Sequence, residues 1–212
     1  MTNERPIILV TNDDGVISPG IKALVEVAME FGDVVVVAPD SPQSGMGHAI
    51  TLENVLRVER VYQFGKDVLS YQCSGTPADC VKIAIDKIIK KKPDLCVSGI
   101  NHGSNSSINV IYSGTMSAAM EASIDGIPAV GFSLLDYDWK ADFSPCKSFV
   151  KKIALEVLEK GLPEGVVLNV NIPKLSENEI KGIKICRQAK AVWQEKFDKR
   201  QTPQGRDYYW LT

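Results

Sequence analysis

The sequence predicts a doubly wound α/β protein: a mostly parallel, Rossmann-like sheet in three layers, followed by a β-rich C-terminal extension. Three observations carry this prediction. Short runs of apolar, β-branched residues recur as strands buried on both faces, the mark of a parallel sheet. Segments with apolar residues at helical spacing separate them, which is the βαβ alternation of right-handed crossovers. Past Ile180 the helical patterns stop and aromatic residues increase. These shifts set the expected division: an α/β core over 1–180 and an extension over 181–212.

The elements follow in order. Ile7-Ile8-Leu9-Val10 is the first strand, running into Thr11-Asn12-Asp13-Asp14-Gly15. Ser18-Pro19-Gly20 opens a helix, with Ser18 at the N-cap and Pro19 at the first position. Ile21, Leu24, Val25 and Ala28 form its apolar face. Residues 33–39 are a second buried strand ending at Asp40. Residues 49–73 hold β-like patches at 55–58 and 68–71 and predict a hairpin. Thr76-Pro77-Ala78-Asp79 starts a helix: Thr76 caps, and Asp79 sits at the positive helix end. Residues 95–100 are another strand, with a small polar loop after it over 101–109. Ser113-Gly114-Thr115 starts a helix through Ala119, Met120 and Ile124. A strand over 128–134, an amphipathic helix over 149–158 and a strand over 166–172 complete the core. Trp193, Phe197, Tyr208, Tyr209 and Trp210 then crowd a polar stretch with little helical or strand period.

Composition bounds the function. The chain has 212 residues, 44% hydrophobic and 24% charged, enough for one sizeable core. A formal net charge of −2 gives no global field for a nucleic acid duplex. No apolar stretch reaches about 18 residues, so no transmembrane helix and no membrane partner are expected. The polar start through Pro6 leads straight into a strand, unlike a signal peptide. Five scattered cysteines then read as free thiols in a cytoplasmic protein. The two histidines, His48 and His102, have no metal-ligand spacing and read as surface residues.

The chemistry gathers at strand ends. Ligands of open α/β sheets bind outside the carboxyl ends of the strands. There the sequence places Asn12, Asp13, Asp14 and Gly15; then Asp40, Ser41, Gln43, Ser44 and Gly45; then Asn101, His102, Ser104 and Asn105. Adjacent carboxylates repel unless a cation joins them, and Mg²⁺ takes one or two carboxylates plus substrate phosphate and water. The helix start at Ser113 offers backbone N–H groups to an anion. Metal-assisted hydrolysis of a phosphate ester fits this set. Each residue also has a plainer reading: an Asp-Gly turn, loop-forming Ser44, Asn101 and Asn105, and a helix-capping Ser113.

The motifs resemble the SurE family, stationary-phase survival proteins with 5′-nucleotidase activity. The resemblance lies in Thr11-Asn12-Asp13-Asp14-Gly15 with Ser18-Pro19-Gly20-Ile21, and in Val37-Ala38-Pro39-Asp40 with Ser44-Gly45. It continues in Gly75-Thr76-Pro77-Ala78-Asp79-Cys80-Val81, in 98–105, in Tyr112-Ser113-Gly114-Thr115, and in Arg187, Trp193, Phe197, Arg200, Pro203, Gly205 and Tyr208-Tyr209-Trp210. It spans essentially the whole chain in order. It implies a phosphatase of nucleoside 5′-monophosphates that works through metal-activated water, and leaves 3′-monophosphates and polyphosphate open as further substrates. One divalent ion per subunit, Mg²⁺ or Mn²⁺, is implied, held by Asp13, Asp14, Ser44 and Asn101. Asp13, Asp14 and Asn101 are the implied catalytic residues. Asn12, Gly45, Asn105, Ser113, Gly114 and Thr115 are the implied substrate-binding residues. A homodimer or homotetramer that exchanges its C-terminal segment is implied as well. Met116 and Ala122 depart from the family pattern and imply a packing change in their helix.

Two other classes share paired acids after a first strand. An aspartyl-phosphate phosphotransferase needs acids two residues apart, which 12–15 does not supply. A receiver-type signalling domain is usually shorter and needs a phosphoacceptor Asp with a later Lys.

Overall fold

A computed structural model describes residues 5–212. The polar start at 1–4, part of the export-signal reading, lies outside the described residues. Seven strands form one sheet: β1 (Ile7–Thr11), β2 (Asp33–Pro39), β3 (Val58–Val61), β4 (Leu69–Cys73), β5 (Leu95–His102), β6 (Ala129–Leu134) and β7 (Leu168–Ile172). Their order across the sheet is β3-β4-β2-β1-β5-β6-β7. Every neighbouring pair is parallel except the edge pair β3 and β4. The chain therefore builds outward from β1 in one direction, then returns to build from its other side. The order reverses between β1 and β5, where open α/β sheets form their ligand crevice.

Four helices cover the sheet: α1 (Pro19–Ala28), α2 (Pro77–Ile83), α3 (Gly114–Ile124) and α4 (Lys147–Lys160). Alternation along β1 shows how both faces are buried. Ile8 and Val10 join α1 and α4 in one apolar cluster, whereas Leu9 joins α2 and α3 in the other. Period-2 side-chain geometry makes the uninterrupted apolar run necessary, because neither face of a central strand meets water. The expected three-layer α/β class is the observed one.

Local differences have local causes. In the 49–73 region the strands occupy only Val58–Val61 and Leu69–Cys73, and 55–57 stay irregular. Ser18 sits at the N-cap of α1, but its hydroxyl receives a hydrogen bond from Asn12 Nδ2 at 2.8 Å instead of capping the helix. Thr76 does cap α2, in a reciprocal box with Asp79. β5 runs two residues past its expected end, through a register shift between Ser98 and Asn101. The loop after β5 contains a short 3₁₀ turn, Ser107–Ile111. Met116 has a direct explanation: a Cβ built on Gly131 of β6 would lie 2.3 Å from its sulfur, so the thioether fills the room that glycine leaves. Ala122 is fully buried in the α2/α3 cluster.

The extension is β-rich as expected, although its aromatic stretch shows little strand period in the sequence. Residues 181–196 run exposed and without regular structure, and Phe197–Gln201 (β8) pairs antiparallel with Asp207–Leu211 (β9). Every residue of β9 is exposed, so the hairpin is not buried against its own core. β8 reads Phe-Asp-Lys-Arg-Gln, and a strand solvated on both faces carries no apolar alternation for a reader to find.

Candidate active site

Asp13 and Asp14 stand at the end of β1, beside the end of β5 and at the reversal of strand order. Asp13 is buried, 3% exposed. Its Oδ1 accepts a hydrogen bond from Thr115 Oγ1 at 2.5 Å, and the backbone N–H of Thr115 also supports the carboxylate. Burial, and then the charge of Asp14, push its carboxyl up to about 6 against those hydrogen bonds. Burial likewise raises Asp14, opposed by the His102 backbone N–H that donates to its Oδ2 at 3.4 Å. Two acids thus share a site in which neither charge is comfortable.

The start of α3 presses directly on Asp13. A Cβ on Gly114 would lie 2.6 Å from the Asp13 Cβ, so only glycine permits this approach. Ser113 caps the helix by accepting from the Met116 N–H at 3.1 Å. Thr115 turns toward Asp13 rather than outward. The positive helix end therefore favours the Asp13 anion as well as any anion placed beside it.

The other candidate residues surround this pair in different ways. Asn101 is buried, and its Nδ2 donates to the carbonyls of His102 at 2.9 Å and Gly103 at 3.0 Å. That commitment leaves Oδ1 as the atom available to a cation. Asn12 is buried too, but its amide serves the turn: Nδ2 donates to Gly15 O at 3.0 Å and to Ser18 Oγ. Ser44 and Gly45 lie in an exposed loop. The Gln43 N–H donates to the Asp13 carbonyl at 2.8 Å, which ties that loop to the acids. Gly45 takes a left-handed φ of 76°. Asn105 is buried and held from three sides. Its Nδ2 donates to Ser133 Oγ at 2.9 Å, its N–H to Asn171 Oδ1 at 3.0 Å, and its carbonyl accepts from Asn169 Nδ2 at 2.8 Å.

Sequence reasoning missed Ser133, Asn169 and Asn171. The available signal was Leu-Asn-Val-Asn-Ile in β7, two polar residues two apart near the carboxyl end of a parallel strand. His48 is exposed, as the surface reading expects, but has an ion-pair partner, whereas His102 departs from that reading. His48 Nε2 lies 2.7 Å from Glu121 Oε2, and Glu121 also pairs with Lys82. Burial works against the Glu121 charge, but those two partners hold its carboxyl below the usual range. The His102 ring nitrogens are buried without a hydrogen-bond partner, and the ring meets Phe143 edge-on at 5.0 Å.

The donor chemistry fits a hard divalent cation. Among the described residues no cluster of three or more His, Cys, Asp or Glu side chains could hold a metal. A cation here draws instead on two carboxylates and neutral oxygens, the set that Mg²⁺ and Mn²⁺ accept. Thr11 Oγ1 and Asn12 Oδ1 at the end of β1, and Ser98 Oγ beside Thr11 on β5, are buried oxygens without a hydrogen-bond partner.

Comparison with known proteins agrees with this arrangement. The family described as Survival protein SurE matches residues 8–195. A 5′-nucleotidase SurE of Flavobacterium psychrophilum is 69% identical over 208 residues, covering 98% of this chain and 81% of that protein. That of Flavobacterium johnsoniae is 69% identical over 212 residues, covering 100% and 82%. The crystal structure of the SurE protein from Aquifex aeolicus superposes with a TM-score of 0.84 at 44% identity, covering 98% of this chain and 82% of that one. With the acids, the Ser-Gly-Thr helix start and the strand reversal all in one crevice, this chain belongs to the SurE family.

Proposed function

We propose that this chain is a divalent-metal-dependent 5′-nucleotidase that hydrolyses nucleoside 5′-monophosphates to nucleoside and phosphate. The observation that carries the reading is the adjacent pair Asp13 and Asp14, pressed against the start of α3 at the strand reversal. The relatives named 5′-nucleotidase SurE support the substrate class. Asp13, Asp14, Asn101 through Oδ1, and Ser44 are the ligands proposed for one Mg²⁺ or Mn²⁺ ion per subunit. Bound there, the cation would polarise the phosphoryl oxygen and lower the pKa of a water.

The chain's own residues do the rest. Thr115 fixes the rotamer of Asp13, so the ligand is aimed before substrate arrives. The Gly114 N–H at the helix start, with Ser113 and Thr115 around it, receives the phosphate. Asn105, braced by Ser133, Asn169 and Asn171, holds an amide oxygen beside the site at little cost in ordering. Asn12 braces the turn after β1 and Gly45 gives the loop after β2 its left-handed bend, so both shape the rim that meets substrate. Residues 1–180 form the catalytic core on this reading, and 181–212 join subunits into a dimer or tetramer. No described helix is long and apolar enough to cross a membrane. Five free cysteines, four of them buried, suit a reducing cytoplasm.

Phosphate release from a panel of nucleoside 5′- and 3′-monophosphates and polyphosphate tests the reading. The protein is first stripped with chelator, then given Mg²⁺ or Mn²⁺. Turnover of 5′-monophosphates restored by metal, with no trapped phosphoaspartate, is expected. Full turnover in chelator, or a stable phosphoenzyme, would overturn it.

A further inference from the structure

We propose that Tyr112 and Trp193 form the platform on which the base of the substrate nucleotide stacks. The inference rests on the nucleotidase reading above and deepens it by assigning the base subsite. Tyr112 directly precedes Ser113, the cap of the helix that receives the phosphate. Its ring lies 5.7 Å from that of Trp193, centroid to centroid, at an angle of 44°. The Trp193 indole is fixed at its edge, where Nε1 donates to Asn109 Oδ1 at 2.7 Å. Its one polar atom is thereby satisfied, and what remains to offer is the ring face. Tyr112 is 45% exposed and Trp193 49%.

The surroundings hold both rings in place. On one side, the Gly47 N–H donates to the Tyr112 carbonyl at 3.1 Å, and Gln43 of the same loop is bonded to Asp13. On the other, the chain carrying Trp193 is pinned to the 3₁₀ turn. Gln188 Nε2 donates to the Ser107 carbonyl at 3.1 Å, and Ser107 Oγ donates to the Ala189 carbonyl at 3.3 Å. Tyr112 thus lies between the loop proposed to carry a metal ligand and the strap proposed to join subunits.

Reach and chemistry agree. Tyr112 lies two positions before Gly114, a span of at most about 7 Å of extended chain. A ribose bridges a gap of that order between a 5′-phosphate and its base. Exposed rings fixed by their neighbours bind a planar aromatic ligand without first paying to be ordered. Every base has a π-face, so such a platform accepts all four and holds the larger purines better. The exposed Tyr137 and Trp139 are weaker candidates. They follow β6 and are already engaged with the end of β5, Tyr137 packed over Gly103 and Trp139 beside the His102 ring.

The test compares AMP with ribose 5-phosphate, which has the same phosphate and sugar but no base. Trp193→Ala and Tyr112→Leu should each raise KM for AMP roughly five- to a hundredfold, with kcat little changed and ribose 5-phosphate kinetics unaltered. Trp193→Phe keeps a ring but loses the bond to Asn109, and should stay close to wild type. If Trp193 is only a tether, Phe and Ala will behave alike and both substrates will suffer equally, which overturns the platform. A wild-type enzyme that handles AMP no better than ribose 5-phosphate overturns it too, while leaving the phosphatase reading intact. Failure of wild type on both substrates overturns the nucleotidase reading itself, and the platform with it.

Discussion

Removing the Asp13 charge should stabilise the metal-free protein while destroying its metal site. The carboxyl rises from an ordinary 3.8 to about 6 in the fold, chiefly through burial and then through Asp14. The folded protein therefore holds this proton more tightly than the unfolded chain does. The cost of ionising it is absent below about pH 4, grows between pH 4 and 6, and is complete above pH 6. A shift of about two units at about 1.4 kcal/mol each makes that cost about 3 kcal/mol at pH 7. Asp13→Asn removes it and keeps an oxygen to accept the Thr115 hydroxyl. For a chain of this size the gain in Tm should be roughly 6–12 °C at pH 7 in chelator, shrinking toward nothing at pH 4. Saturating Mn²⁺ should reverse the order, because ligand stabilises only the protein that binds it. Thermal unfolding of both proteins at the two pH values, with and without Mn²⁺, reads all of this. A variant less stable than wild type in chelator at pH 7, or raised equally by Mn²⁺, would refute the reasoning.

Three further outcomes follow from the geometry. Ser44→Ala and Asn101→Ala should weaken Mn²⁺ binding less than Asp14→Asn, since neutral oxygens attract a cation less strongly; titration calorimetry ranks the three, and unchanged affinity in both would return them to loop-forming roles. Gly114→Ala should cost about 1–3 kcal/mol of stability and most of the phosphatase activity, because the new methyl meets the Asp13 side chain; denaturant unfolding and phosphate release measure the two effects. The intact protein should be at least a dimer by light scattering, and a version ending at Lys190 a monomer; an unchanged oligomer would assign assembly to another surface.

The strands were legible because a parallel strand buried on both faces leaves an unbroken apolar run, and β2 matched its expected span residue for residue. The acids were legible because they follow such a run directly. What stayed hidden was tertiary. Thr115 reads as part of a phosphate-binding helix start, yet its hydroxyl is spent on Asp13, a contact between residues 102 apart in sequence. The clasp on Asn105 joins β6, β7 and the loop after β5, and no single segment carries its pattern. His48 has no local sign of its partner, because Glu121 reaches it from 73 residues away. The β-rich character of the extension was expected, but its two strands could not be delimited: burial writes the periodicity that a reader looks for, and the β8–β9 hairpin is buried against nothing in its own chain.

The fit of Met116 over Gly131 also carries a cost. A thioether now fills the space where a side chain on β6 would begin, one turn into the helix whose first residues hold Asp13. Any methyl added at 131 must drive the sulfur aside, and the displacement would travel down α3 to the carboxylate. Positions 116 and 131 are therefore free to change only as a pair. A large residue at one requires a minimal residue at the other, and the tolerance of the active site to drift in its own core is narrower than its apolar lining implies.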